Sequence, residues 1–266
     1  MGTRHRLGLL AAAVVVALSV SGRLEAAAVP TVIGTAQTSV RSSGQAARST
    51  EAVRYDDTSL VLLASYGVVD GALSGDRATA RDTALWNLVG STLPDGALGT
   101  IRQLNIVTDG HDGTLAMVHR STVDPAAWVL SIDPAESRSV LVSTVVHEYG
   151  HMLTLGPADL TSRAASSGRC DGVRIKIGCA KIGSALAEWH NEFWAGVDEP
   201  ADYDSRRFVS DYAASSVHED LAESFMAWTL DEVVRPTSFI NERFTFFAHR
   251  REFAAARDAI RAKLAR

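Results

Sequence analysis

The chain has 266 residues, of which 46% are hydrophobic and 21% are charged, a composition that suits one globular domain with a substantial core. Its formal net charge is −5, and the body of the chain has no dense cluster of Lys and Arg, so nucleic acid is excluded as an expected partner. The sequence contains no internal repeats.

Residues 1–28 have the layout of a secretory signal peptide. Two basic residues, Arg4 and Arg6, precede an apolar stretch at 7–20, and small residues follow up to Ala28. We predict cleavage after Ala28, with the earlier sequence SVSG as a competing point. An uncleaved anchor is the alternative, but the apolar stretch is shorter than the roughly 20 residues of a spanning helix. The mature protein is therefore predicted to be secreted, extracellular, monomeric and free of membrane contact.

Residues 29–54 are rich in Ser, Thr, Ala, Gly and Gln and nearly lack large apolar side chains, so we expect a disordered linker or pro-segment there. The folded domain is predicted to span residues 55–266. Hydrophobic periodicity predicts a helix at 77–90. Three strands are then predicted at 101–108, 114–121 and 127–133.

The next predicted helix is about twenty residues long, ends at Gly156 and carries the sequence HEYGH. Residues four apart on a helix lie on the same face, so His147 and His151 can direct their rings at one metal ion. Glu148 falls about 100° around the helix, where it can contact a water on the metal without being a ligand. Gly150 lowers helix propensity, which indicates that another element approaches the backbone there.

The chain has two cysteines, Cys170 and Cys179. In an exported protein the oxidising surroundings favour a disulfide between them, which would close one small loop. A metal pair or a nucleophilic cysteine is the alternative, but the spacing matches no C-x-x-C site. We therefore predict the Cys170–Cys179 disulfide.

Three further helices are predicted at 183–196, 216–234 and 239–265. The second of them carries Glu219 and Glu223, four residues apart, and a zinc site needs a third protein ligand besides two histidines. We assign Glu219 as that ligand and Glu223 as acceptor of the second ring N–H of a ligand histidine. The reverse assignment and His218 as ligand stay open, and Ser216 with Glu219 also fits a helix-capping box.

A helical projection places both glutamates among apolar residues, where carboxylates are costly unless a cation or hydrogen-bond donors meet them. The same projection places Asp220, Ser224 and Asp231 on the opposite arc, which we expect to face solvent.

These motifs resemble those of gluzincin zinc metallopeptidases, most closely the catalytic domain of the anthrax lethal factor family. The matching features are HEYGH, the downstream EDLAESF, and Tyr212 seven residues before Glu219. The resemblance covers residues 136–155 and 208–264, and it does not extend to the strands or to the segment with the cysteines.

The resemblance implies a role for each residue of the site. His147, His151 and Glu219 would bind Zn²⁺, and Glu148 would act as general base towards a zinc-activated water. Tyr212 would stabilise the oxyanion. The implied activity is that of a secreted metalloendopeptidase that hydrolyses peptide bonds in a peptide or protein substrate.

The implied fold is α+β and zincin-like, with a small mixed sheet, the active-site helix and a mostly helical C-terminal part. In zincins an antiparallel edge strand pairs with the substrate backbone, and the strand at 114–121 is the candidate for that edge. The alternative function is a secreted zinc-binding or toxin-like interaction module with the same fold and little or no turnover.

Overall fold

The structure is a computed structural model that describes residues 51, 60–74, 77–110, 113–162, 168–233 and 235–266. The predicted signal peptide and the predicted domain start at Tyr55 lie outside these residues, and of the predicted segment 29–54 only Glu51 lies within them. The backbone of Glu51 contacts a sheet residue. Its N–H donates to Gln103 Oε1 at 2.7 Å, and its carbonyl accepts from Gln103 Nε2 at 2.9 Å.

A five-stranded mixed sheet forms one layer of the fold. Its strands in chain order are β1 (Val61–Val69), β2 (Ala72–Ser74), β3 (Ile101–Thr108), β4 (Ala116–Arg120) and β5 (Trp128–Ile132). Their order across the sheet is β2-β1-β3-β5-β4, with β3 and β5 parallel and the other neighbours antiparallel. The three predicted strands are confirmed within two residues at each end, and β4 is an edge strand as predicted.

The strands β1 and β2 are not predicted from the sequence. The first residues of β1, Val61, Leu62 and Leu63, are all about half exposed, so this strand lacks the alternation of apolar and polar residues that marks a half-buried strand. Its pairing with β3 sets its conformation instead, through contacts that lie some 40 residues apart in the chain.

Helices share one hydrophobic core with the sheet. They are α1 (Ala80–Thr92), the short α2 (Asp95–Leu98) and α3 (Arg138–Thr154). Thr79 caps α1 by accepting from the N–H of Asp82, and Ser137 caps α3 by accepting from the N–H of Val140. Because α3 packs against β4 and α1, it has its HEYGH sequence inside the protein.

The C-terminal part is mostly helical. It contains α4 (Ala185–Trp189) with a π-helical continuation (His190–Trp194), a 3₁₀ turn (Tyr212–Ser215), α5 (Val217–Leu230), α6 (Ser238–Ala248) and α7 (Arg251–Leu264). The helix predicted at 183–196 is confirmed, and its second half is π-helical.

The prediction of a single helix at 239–265 is wrong. Arg250 has an extended backbone, with φ −111° and ψ 117°, and separates α6 from α7. The break lets both helices place aromatic rings in one cluster: the Phe247 and Phe253 ring centroids are 5.1 Å apart. Burial of these rings outweighs the local preference of the sequence for an unbroken helix.

A second, three-stranded sheet lies between α3 and α4 in the chain. Its strands are β6 (Leu160–Ser162), β7 (Val173–Ile175) and β8 (Gly178–Ala180), in the antiparallel order β6-β8-β7. The predicted disulfide between Cys170 and Cys179 is confirmed, with the two Cα atoms 5.6 Å apart.

The fold is therefore mixed α+β, with a small mixed sheet and several helices, as the sequence predicts at this coarse level. Within the described ranges no helix is both long enough and apolar enough to cross a membrane.

Burial of His119 on β4 predicts a loss of stability in mild acid. Burial lowers the pKa of His119 to about 4, against an opposing effect of Glu51. The unfolded chain, with an ordinary histidine pKa near 6.5, takes up this proton first, so the contribution of His119 to stability is lost as the pH falls from about 6.5 towards 4. His119→Gln should flatten the pH dependence of the unfolding free energy by up to about 3 kcal/mol in that window.

Urea unfolding measured between pH 4 and pH 8 tests this prediction. His249→Gln, which removes a histidine at an exposed position, is the matched control, and the effect of His119→Gln should exceed its effect. Parallel curves for the wild type and His119→Gln would contradict it.

Candidate metal centre

The helix α3 presents two histidines at one point inside the protein. His147 and His151 are 1% and 0% exposed, and their Nε2 atoms are 2.9 Å apart. The rings meet edge to face with their centroids 4.7 Å apart. Two ring nitrogens at this distance need a proton or a metal cation between them, because two lone pairs would otherwise face each other.

A carboxylate from α5 completes the group. Glu219 Oε2 lies 3.1 Å from His147 Nε2 and 3.1 Å from His151 Nε2. Ser216 caps α5 by accepting from the backbone N–H of Glu219 at 3.4 Å, while the Glu219 carboxylate contacts the two histidine rings. The cap and the proposed ligand role thus use different groups of Glu219.

The three donor atoms fit a metal ion. Tetrahedral ligands at about 2.1 Å from zinc lie about 3.4 Å from one another. The observed separations of 2.9 to 3.1 Å need to widen only by a few tenths of an ångström to reach that value. His147, His151 and Glu219 therefore form a buried group that could hold a metal.

Glu223 contacts the other side of the His147 ring. Its Oε1 lies 2.7 Å from His147 Nδ1, and the Ser210 hydroxyl donates to its Oε2 at 2.5 Å. A carboxylate on Nδ1 holds the proton there and leaves the Nε2 lone pair directed at the group. The structure thus places Glu219 with the two Nε2 atoms and Glu223 behind His147, in the order that the sequence reading preferred.

His218, the other candidate ligand, lies beside the group. Its Nε2 is 3.5 Å from Glu219 Oε1, and its Nδ1 is 3.0 Å from the Ser216 hydroxyl. Its ring centroid is 5.9 Å from that of His151. Burial lowers the pKa of His218 to about 4, so the ring is neutral at physiological pH.

The carboxylates and histidines stabilise each other's charge. Burial alone would raise the pKa of Glu219, but His151 and His147 outweigh it and hold that pKa well below its usual range. Burial would likewise lower the pKa of His147, and Glu219 and Glu223 instead raise it well above its usual value. A positive charge is thus strongly stabilised at this point of the protein.

Glu148 is buried next to the group without a partner. It is 1% exposed, and neither of its carboxylate oxygens has a hydrogen-bond partner among the described residues. Burial raises its pKa to about 8, against the effects of His147 and of the nearby Val118 backbone N–H. A buried carboxyl without a partner is costly, and such groups concentrate at functional sites.

Tyr212 stands at the start of the 3₁₀ turn that leads into α5. Its ring centroid is 5.9 Å from that of His147. Burial and the negative charge of Glu219 raise the pKa of its hydroxyl well above the usual value. The hydroxyl is therefore protonated at neutral pH and can donate a hydrogen bond.

The close contact expected at Gly150 is confirmed. A Cβ at this position would lie 3.1 Å from Ala222 Cα and 3.4 Å from Phe225 Cδ1 on α5. The two helices that carry the histidines and Glu219 thus pack backbone against backbone at this residue.

Asp220 corrects the sequence analysis, which placed it on a solvent-facing arc. It is 0% exposed and accepts from Trp194 Nε1 at 2.8 Å and from Trp189 Nε1 at 3.1 Å, and Arg243 Nη2 forms an ion pair with it at 3.1 Å. Ser224 is buried as well, because α5 is enclosed nearly all round; of the three residues on that arc, only Asp231 is exposed. A periodic pattern cannot reveal a helix that is buried on every side.

Gly150→Ala tests the contact between α3 and α5. Alanine has a higher helix propensity by about 1 kcal/mol, but overpacking against the Ala222 backbone costs about 1 to 3 kcal/mol, so we expect a net loss of stability. Gly90→Ala is the matched control, since a Cβ there meets only Leu98 Cδ1 at 3.9 Å, and it should gain stability. Urea unfolding measures the free energy of unfolding of both variants. A higher value for Gly150→Ala than for the wild type would contradict the prediction, because it would show that α3 and α5 can move apart at little cost.

Glu223→Gln tests the contact behind His147. A neutral amide is a weaker acceptor for the Nδ1 proton, so metal affinity should fall about 10- to 100-fold. Competition with a chelator measures this affinity. Glu232→Gln, at an exposed residue just beyond α5, should change nothing. Equal affinity in the Glu223 and Glu232 variants would exclude an orienting role for Glu223.

In comparisons with known proteins, no family model, no curated protein and no solved structure matches this chain.

Proposed function

We propose that the chain is a secreted zinc-dependent metalloendopeptidase with a zincin-like fold of the gluzincin kind, related to the anthrax lethal factor family. The observation that carries the proposal is the convergence of His147 Nε2, His151 Nε2 and Glu219 Oε2 within 3.1 Å, beside the unpartnered buried carboxyl of Glu148. A donor set alone would suit a structural metal, whereas an adjacent unpartnered carboxyl suits a catalytic one.

Zinc suits this donor set. Two imidazole nitrogens and one carboxylate oxygen leave a fourth, open position, the arrangement of catalytic zinc sites. When bound, zinc supplies Lewis-acid chemistry and lowers the pKa of a coordinated water towards about 7.

Glu148 is the proposed general base. In the chain itself its pKa of about 8 results from burial, and a nearby cation would lower that value into the range where a carboxylate accepts a proton at neutral pH. Among the described residues only the Val118 backbone N–H acts on its carboxylate as a donor, and no hydrogen bond of good geometry occupies either oxygen, so the carboxylate can bind the attacking water.

Tyr212 is the proposed donor to the oxyanion. Its protonated hydroxyl can donate to the carbonyl oxygen of the peptide as negative charge develops there. Its place at the entry to α5 fixes it relative to Glu219, seven residues later.

The edge strand β4 is the proposed partner of the substrate backbone. Ser121 N–H donates to the Ala127 carbonyl, and Asp133 N–H donates to the Leu115 carbonyl, so the odd-numbered positions along β4 are those that form backbone hydrogen bonds towards β5. The backbone groups of Val118 therefore point away from β5 to the free edge, and Val118 N–H lies near Glu148. A peptide that pairs with this edge would pass the metal centre.

Metal content and peptide hydrolysis test the proposal together. Wild-type protein, purified without chelators and offered zinc, should hold one zinc per chain and cleave peptides in a random mixture. Glu148→Gln should keep the zinc and lose cleavage by at least about 100-fold, the scale of a general base, and Glu219→Ala should lose both. Elemental mass spectrometry and peptide mass spectrometry are the two measurements.

Glu242→Gln, at an exposed residue of α6, is the control and should match the wild type. Zinc without cleavage in the wild type would favour the zinc-binding interaction module over the enzyme. Cleavage that persists in Glu148→Gln would exclude the mechanism.

A further inference from the structure

A cavity outside the metal centre lies beside the start of α5. It has a volume of about 210 Å³, the size for one side chain rather than a whole ligand, and its walls include Arg174, Lys176, His190, Asp198 and Glu199. The β7–β8 hairpin supplies the first two of these residues, and the π-helical segment supplies the third.

One hydrogen bond connects this cavity with the helix that carries Glu219. Glu199 Oε1 accepts from the N–H of Val217 at 2.9 Å, and Val217 is the first residue of α5, two residues before Glu219. The positive charge of Lys176 also contributes to the lowered pKa of His218, the neighbour of Glu219, after the larger effect of burial. The cavity thus borders the start of α5, the helix that carries Glu219.

The positive charges of the hairpin have no anionic partner within the described residues. Arg174 Nη2 donates to the carbonyl of Gly168 at 2.8 Å, which leaves its charge uncompensated. Lys176 has neither a hydrogen bond nor an ion pair to the described residues. On the acidic side, Glu199 already accepts from Val217, and Asp198 is exposed.

The hairpin that carries these cations is held rigidly. The Cys170–Cys179 disulfide joins its two sides, and Ile175 between the two cations is buried. Gly172 lies so close to β8 that a Cβ would be 2.0 Å from the Ala180 carbonyl oxygen. The backbone beneath the two cations is thus fixed, so that on binding an acidic group only their side chains lose conformational freedom.

We propose that this cavity is a substrate subsite that binds an acidic side chain, with Lys176 and Arg174 as its cations. The inference rests on the proposed function and gives it a substrate class, namely peptides with Asp or Glu at one fixed position relative to the cleaved bond.

The test is a cleavage profile of random synthetic decapeptides, read by mass spectrometry, on zinc-loaded protein. The wild type should enrich Asp and Glu at one position. Lys176→Met should reduce that enrichment about fivefold, the scale of one partly exposed ion pair, and leave the zinc content unchanged. Asp198→Asn should raise the enrichment, because it removes the opposing charge.

Lys181→Met is the matched control. Lys181 belongs to the same part of the chain but donates to the Pro157 carbonyl at 2.6 Å, outside the cavity walls, and its loss should leave the profile unchanged. Opposite effects at Lys176 and Asp198, with none at Lys181, would separate the subsite from a general effect on stability.

The outcomes separate the two proposals. Cleavage without an acidic preference, or with one that survives in Lys176→Met, would overturn the subsite and leave the peptidase standing. The absence of cleavage by zinc-loaded wild type would overturn the peptidase. Retention of the same decapeptides on the immobilised Glu148→Gln variant gives a readout without turnover. Acidic peptides should be enriched among the retained peptides, and this enrichment should disappear in the double variant Glu148→Gln, Lys176→Met.

Discussion

The distance between α3 and α5 determines whether a metal centre exists. The histidines belong to one helix and Glu219 to the other, so their atoms meet only if the helix axes come close. Gly150 permits this approach, because any larger residue would press on the backbone at Ala222. The low helix propensity of glycine destabilises α3 locally, and the close packing of the two helices offsets this loss. The same approach encloses the donor atoms and removes water that would weaken their mutual attraction.

Helix α5 buries three carboxylates within five residues, and the fold meets their charge in two different ways. Asp220 is neutralised within the protein by Arg243 and two indole N–H groups, an arrangement that ties α5 to α6 and to the π-helical segment. Glu219 and Glu223 instead face histidines, whose charge depends on a proton or on a metal ion. A carboxylate with a permanent cationic partner is structural, whereas one that faces a titratable partner remains available to a ligand. This difference between neighbouring residues supports the proposed metal centre.

The sequence could predict what depends on local geometry. The spacing of His147 and His151, and that of Glu219 and Glu223, follows from one turn of a helix, and their faces could be derived without the fold. Burial of Asp220 could not be derived, since it depends on Trp189, Trp194 and Arg243 from other helices. The break at Arg250 and the pairing of β1 also depend on distant contacts, namely a shared aromatic cluster and the neighbouring strand β3. The partners of Asp220 are present in the sequence as Trp189, Trp194 and Arg243. The helical projection considers the residues of α5 alone and therefore does not include them.

The segment that leads into α5 connects the proposed metal centre with the cavity at Glu199. Tyr212, Val217 and Glu219 follow one another within eight residues: Tyr212 and Glu219 both contact His147, and Val217 between them donates to Glu199 in the wall of the cavity. The backbone N–H of Val118 on the edge strand β4 acts on Glu148, and Lys176 on the disulfide-bonded hairpin acts on His218. A peptide held by β4 would therefore reach the metal with its backbone fixed, and the hairpin could discriminate only through a side chain. In the proposed enzyme, the strand would supply affinity that is independent of sequence, and selectivity would depend on the charges of Lys176 and Arg174.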